Sequence, residues 1–80
     1  SNTGESQKAL ENHTRALSLY RQTGDRNGEA ATLTNIGVVY TNTGEPQKAL
    51  EVYNQALPIH RRNGNRPFEA NTLMGMAMVY

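Results

Sequence analysis

Few side chains in this chain could perform chemistry. There are two histidines, His13 and His60, and no cysteine. Neither histidine belongs to an HExxH run or a carboxylate cluster, so the spacing that holds a metal ion is missing. Without cysteine there is no disulfide and no thiolate ligand. No Ser/His/Asp set, glycine phosphate loop or paired carboxylate stands out. The expectation is a non-enzyme with no catalytic residue, no metal and no cofactor. Recognition chemistry is better represented. Asn35 carries an amide that both donates and accepts, and can therefore pair with a peptide group. Met74 and Met78 offer flexible, polarisable side chains that fit varied surfaces. Arg26 with Glu29, and Arg66 with Glu69, sit three residues apart. On a helix such pairs are solvated and contribute a few tenths of a kcal/mol.

Composition narrows the setting. Eight Lys/Arg against seven Asp/Glu give a net charge of +1. A nucleic-acid or membrane-surface role normally shows a basic face, so neither partner is expected. No apolar run approaches the roughly 20 residues of a membrane span. A cytoplasmic setting is expected. A chain of 80 residues buries only about 60% of its unfolded surface and is marginal on its own.

The elements that must position these residues come from an internal repeat. Residue i matches residue i+40 along the chain: Thr3-Gly4-Glu5 returns as Thr43-Gly44-Glu45, Gln7 to Glu11 as Gln47 to Glu51, and Val39-Tyr40 as Val79-Tyr80. Twenty of the forty pairs are identical, enough to read the halves as copies of one unit. A period of this size signals a solenoid, in which each unit covers its neighbour's apolar face. Leu33, Ile36, Gly37 and Tyr40 share one helical face, and Ala49, Leu50, Tyr53, Ala56 and Leu57 share another. Ala9, Leu10, His13, Ala16 and Leu17 repeat the latter. Gly24 suits a left-handed helix end and Asp25 an N-cap, and Gly64-Asn65 repeats that punctuation. Four helices follow, at about 5–22, 26–41, 45–62 and 66–80. Their short connections make successive helices antiparallel. Pro46 and Pro67 suit first turns, whereas Pro58 should kink the third helix.

At this level the chain resembles a tetratricopeptide repeat. The motif appears as Leu33-x-x-Ile36-Gly37-x-x-Tyr40 followed by Ala49-x-x-x-Tyr53-x-x-Ala56. It returns as Leu73-x-x-Met76-Ala77-x-x-Tyr80 and, in the first helix, as Ala9-x-x-x-His13-x-x-Ala16. Gly37 and the alanines let helices approach closely, and His13 reads as a substituted core aromatic. The period is 40 rather than the usual 34 or so, the closing proline is absent, and Arg21 and Arg61 lie near its place. The longer period and the run from Gly24 to Ala30 resemble the long-period subgroup, which includes kinesin light chains and bacterial, notably cyanobacterial, arrays.

The resemblance implies an all-α fold: antiparallel helix-turn-helix repeats forming a right-handed α-solenoid fragment in B-A-B-A order. Residues 1–25 would be a half repeat, 26–65 a full repeat and 66–80 a second half repeat, cut from a longer array. It also implies protein or peptide binding on a concave A-helix face. With the Leu33 stripe inward, Ala31, Asn35, Val38 and Asn42 lie opposite, with Thr34 on the flank. The last helix places Asn71, Gly75 and Met78 there, with Met74 alongside. The candidate binding residues are Ala31, Thr34, Asn35, Val38, Asn42, Asn71, Met74 and Met78. In related long arrays an Asn at the Asn35 place contacts bound backbone, and Gly75 interrupts any Asn ladder. Met74 and Met78 could alternatively pack on a neighbouring helix; Met76 should be core. Thr34 and Val38 stand where a carboxylate clamp needs Lys or Arg, which argues against a C-terminal carboxylate ligand. A rival function is a homo-oligomer, through uncapped helical ends or exchanged helices. Single-stranded RNA binding through Thr and Asn is a further rival, opposed by the near-neutral charge.

Overall fold

A computed structural model describes the backbone of residues 2–80 and the side chains from residue 4 onward. Ser1, the register partner of Thr41, lies outside the described residues. Four helices follow one another: α1 (Asn2–Thr23), α2 (Arg26–Asn42), α3 (Pro46–Asn63) and α4 (Arg66–Val79). Among the described residues there is no strand, and the all-α helical-repeat class holds.

The punctuation is built as the sequence implies. Gly24, Gly44 and Gly64 have φ of 74°, 77° and 70°, the left-handed conformation that ends a helix without a Cβ clash. At each, paired capping bonds satisfy the last carbonyls: Asp25 N–H donates to Tyr20 O, Glu45 N–H to Tyr40 O and Asn65 N–H to His60 O, all at 2.8–2.9 Å. Asp25 then caps α2 by accepting from the Gly28 N–H at 2.9 Å. Asn65 accepts from the Phe68 N–H at 3.3 Å. The α3 N-cap, Glu45, makes no side-chain cap, and Pro46 opens that helix.

One boundary expectation changes. The first helix begins at Asn2, three residues earlier than the repeat suggests. Gly44 turns the chain between two packed helices, whereas Gly4 makes no such reversal among the described residues and stays helical. As expected, α3 runs through Pro58 and continues to Asn63. The proline is exposed, and what it removes is the N–H that the Asn54 carbonyl would otherwise bond.

α2 is central and touches the other three helices. It runs antiparallel to α3, because Thr34 meets His60 while Gly37 meets Tyr53. α4 reverses again and lies beside α2 in the same direction. The core joins Leu17, Leu33, Ile36 and Ala56, with Leu10, Tyr40, Val52 and Ile59 around them. Burying each large aliphatic side chain stabilises by about 1.5–3 kcal/mol. The equivalent stripe on α4 stays open. Leu33 is 1% exposed, whereas its register partner Leu73 is 43% exposed and Tyr80 is 86% exposed. Met76, expected in the core, is only half-buried. The reason is direct: α3 covers the stripe of α2, and no described helix covers that of α4.

Candidate functional site

Two glycines bring the helices close enough to form a groove. A Cβ at Gly37 of α2 would stand 2.4 Å from the Tyr53 ring, and one at Gly75 of α4 would stand 2.6 Å from the same ring. Tyr53 of α3 is therefore clasped between two Cβ-less positions. Along this seam α2 and α4 enclose a cavity of about 250 Å³. Its lining comprises Thr34, Asn35, Val38, Thr41 and Asn42 from α2, Tyr53 from α3, and Phe68, Asn71, Met74, Gly75 and Met78 from α4. No charged side chain takes part. Amides stand beside apolar side chains over an aromatic floor.

Seven of the eight sequence candidates line this groove: Thr34, Asn35, Val38, Asn42, Asn71, Met74 and Met78. Ala31 does not. It is half-buried one turn before Asn35, and its methyl group adds no wall. Val38, Met74 and Met78 are exposed on the groove walls.

Thr34 differs from the others because its hydroxyl is already engaged. The residue is 2% exposed. Its Oγ1 donates toward the Ala30 carbonyl at 3.1 Å, and lies 3.0 Å from His60 Nε2 and 2.9 Å from Thr72 Oγ1. Thr72 in turn donates to the Phe68 carbonyl at 2.7 Å. With the proton on Nε2, His60 donates to Thr34 and leaves Nδ1 as a buried acceptor without a partner. The imidazole stacks on Phe68, with centroids 5.1 Å apart and planes 13° from parallel. Burial pushes His60 below its ordinary pKa, against opposing pulls from the Ala30 carbonyl and the Glu69 charge. This network links α2, α3 and α4 beneath the groove. It holds the floor in place; it is not itself a surface for a ligand.

Ion pairs brace the α1–α2 and α3–α4 junctions. Glu29 accepts from Arg26 at 3.1 Å and from Arg21 of the preceding helix at 3.0 Å. Glu69 accepts from Arg61 at 3.2 Å and forms a looser ion pair with Arg66 at 3.6 Å. Burial alone would raise the Glu29 carboxyl. Hydrogen bonds from Arg21 and Arg26, with their charges, outweigh it and hold the group below the ordinary carboxylate range. The pairing within each helix was legible from the sequence, but its solvation was not: Glu29 is 8% exposed, because α1 and Arg21 cover it. The bonds from Arg21 and Arg61 were not legible, because eight residues is no helical spacing; their only signal was recurrence at i+40.

Among the described residues no cluster of His, Cys, Asp or Glu could hold a metal ion, and no helix is long and apolar enough to cross a membrane. The model of the tetratricopeptide repeat family matches residues 2–62, which spans α1, α2 and nearly all of α3. The chain belongs to the tetratricopeptide repeat family. Members of this family generally mediate protein–protein interaction and bind proteins or peptides. No curated protein and no solved structure matches the chain. Within this tetratricopeptide repeat, sequence reasoning missed Thr41, Tyr53 and Phe68 as lining residues. Tyr53 was assigned wholly to helix packing. Phe68, the only phenylalanine, was the available signal in α4.

Proposed function

We propose that this chain is an interaction scaffold whose groove between α2 and α4 takes an extended, uncharged peptide segment. The carrying observation is the lining: Asn35, Asn42 and Asn71 interleaved with Val38, Met74 and Met78, with no charge among them. Amides satisfy a peptide backbone, and the apolar walls accept its side chains. From Asn35 to Asn42 the helix rises about 10 Å, which matches about three residues of extended chain. With no Lys or Arg in the groove, a terminal carboxylate has no countercharge there. The forty-residue register supports placement in the long-period subgroup, with residues 26–65 as one complete repeat.

The test is titration of uncharged, apolar-rich peptides against the chain by calorimetry. Val38→Glu should weaken binding at least tenfold, about 1.4 kcal/mol, because it puts a carboxylate on an apolar wall. Asn35→Ala should weaken it less, and neither should alter helicity. Full binding by both variants would move the site to another face.

A further inference from the structure

Two asparagines precede a glycine, in Asn27-Gly28 and Asn63-Gly64. An Asn-Gly pair carries its own reactive geometry. With no Cβ on the second residue, its backbone nitrogen can come close to the asparagine side-chain carbonyl. Both asparagines are exposed, and the fold brings them together. Asn63 Nδ2 donates to Asn27 Oδ1 at 3.0 Å, clasping the end of α3 to the start of α2. We infer that Asn63 is a site of self-modification by deamidation, that the fold protects Asn27 from the same reaction, and that the isoaspartate product loosens the α3–α4 junction.

The reaction balances with water as co-reactant. Gly64 N gives up its proton and attacks Asn63 Cγ. The new N–Cγ bond closes a succinimide ring, the Cγ–Nδ2 bond breaks, and the amide group leaves with a proton as ammonia. Water then opens the ring at Cγ, giving aspartate, or at the main-chain carbonyl, giving isoaspartate. No oxidant or reductant is needed.

Local structure separates the two sites. Gly28 N–H donates to the Asp25 carboxylate at 2.9 Å. That negative charge opposes loss of the proton the reaction must remove. Gly28 also lies against Tyr20, whose ring stands 2.4 Å from where a Cβ would be. Asn27 is the second residue of a 17-residue helix, so turning it into the attacking conformation breaks the first turn of α2. Asn63 instead ends α3, where helices fray. Gly64 N–H meets no carboxylate; it donates to the neutral Arg61 carbonyl at 3.2 Å. A Cβ at Gly64 would find nothing within 4 Å, so the space around this turn is open.

The two products differ in consequence. An aspartate keeps the main chain intact, and the Asn27 amide, turned over, can donate to the new carboxylate. Isoaspartate adds a methylene to the main chain immediately before Gly64. There Asn65 N–H caps the His60 carbonyl at 2.9 Å, so the added length displaces the cap that joins α3 to α4.

Incubation of the whole chain in mildly alkaline buffer, with and without urea, followed by tryptic peptide mapping, tests this. In the native chain Asn63 should convert at least about tenfold faster than Asn27, a ratio within the span of local opening free energies in folded proteins. In urea the preference should fall away, because both sites are then plain Asn-Gly. Equal native rates, or faster conversion of Asn27, would overturn the assignment. So would a preference that persists undiminished in urea, which would place its cause outside the fold. Asp25→Ser retains a capping oxygen and removes the charge, and should speed conversion at Asn27 alone; an unchanged Asn27 rate would refute the protection argument. Asn63→Asp should unfold at nearly the parental urea midpoint, and the isolated isoaspartate fraction at a lower one. Coincident midpoints would refute the loosened junction.

Discussion

The α1–α2 junction and the α3–α4 junction share a skeleton and differ in filling. Both end a helix on a left-handed glycine, open the next with an Asx cap, and tie a glutamate to an arginine eight residues earlier. In both, a threonine hydroxyl donates to the carbonyl four residues back, Thr32 to Gly28 and Thr72 to Phe68. The filling is exchanged. In the first, the Tyr20 ring lies against Gly28, where a Cβ would meet it at 2.4 Å. In the second, His60 stacks on Phe68. One member of each pair grows where the other shrinks. The residues identical in both copies set the hairpin geometry, and the exchanged ones decide what the surface offers.

The largest break in this comparison should come from Tyr53→Ala. Tyr53 is fully buried between two glycines, and truncating a large buried aromatic costs about 3–5 kcal/mol. His13→Ala, at the register-equivalent but half-buried position, should cost clearly less. Urea unfolding followed by circular dichroism measures both, and equal losses would mean that the two flanking glycines do not set Tyr53 apart from its register partner. Next comes Gly37→Leu, which drives a side chain into the Tyr53 ring. Overpacking of this kind costs about 1–3 kcal/mol. Ala77→Leu, on the uncovered face of α4, should stay within about 0.5 kcal/mol in dilute solution, as surface changes do.

The smallest effect concerns pH and separates His60 from its counterpart Tyr20. The folded His60 pKa lies below its ordinary value, so the unfolded chain binds the proton first as pH falls. Stability from this group is therefore complete above about pH 6.5. It declines as pH falls from there toward the folded value, below which the slope vanishes. Glu29, also depressed, adds a second loss at lower pH: its contribution is present above the ordinary carboxylate range and disappears as pH falls through its folded value. Unfolding curves from pH 7.5 to 5 should show the His60 decline, and NMR titration of the ring should place its protonation below the ordinary histidine range. A flat profile over that interval would mean that the imidazole is not held neutral beneath the groove.

Much of the architecture was legible before any coordinates. The i+40 identities implied two copies, and the apolar spacing implied four helices. Gly24, Gly64, Asp25 and Asn65 marked their ends. These features are local: left-handed backbone, cap hydrogen bonds and helical period depend on residues within a few positions of one another. A 100° step per residue likewise sufficed to place Asn35, Val38 and Asn42 on one face of α2, and Asn71 and Met78 on one face of α4.

Tertiary structure decided what that face rests on. Thr34 reads on the helical wheel as a flank residue of the binding face, yet His60, 26 positions away, and Thr72, 38 positions away, engage its hydroxyl. Gly75 reads as a gap in an Asn series, yet its missing side chain is the space Tyr53 fills. Such contacts follow no helical period, because they join three helices whose separation is set by the size of the residues between them. The sequence determined which helices form and which faces they own. Only packing determined how closely those faces approach, and so which polar groups are spent inside and which remain for a partner.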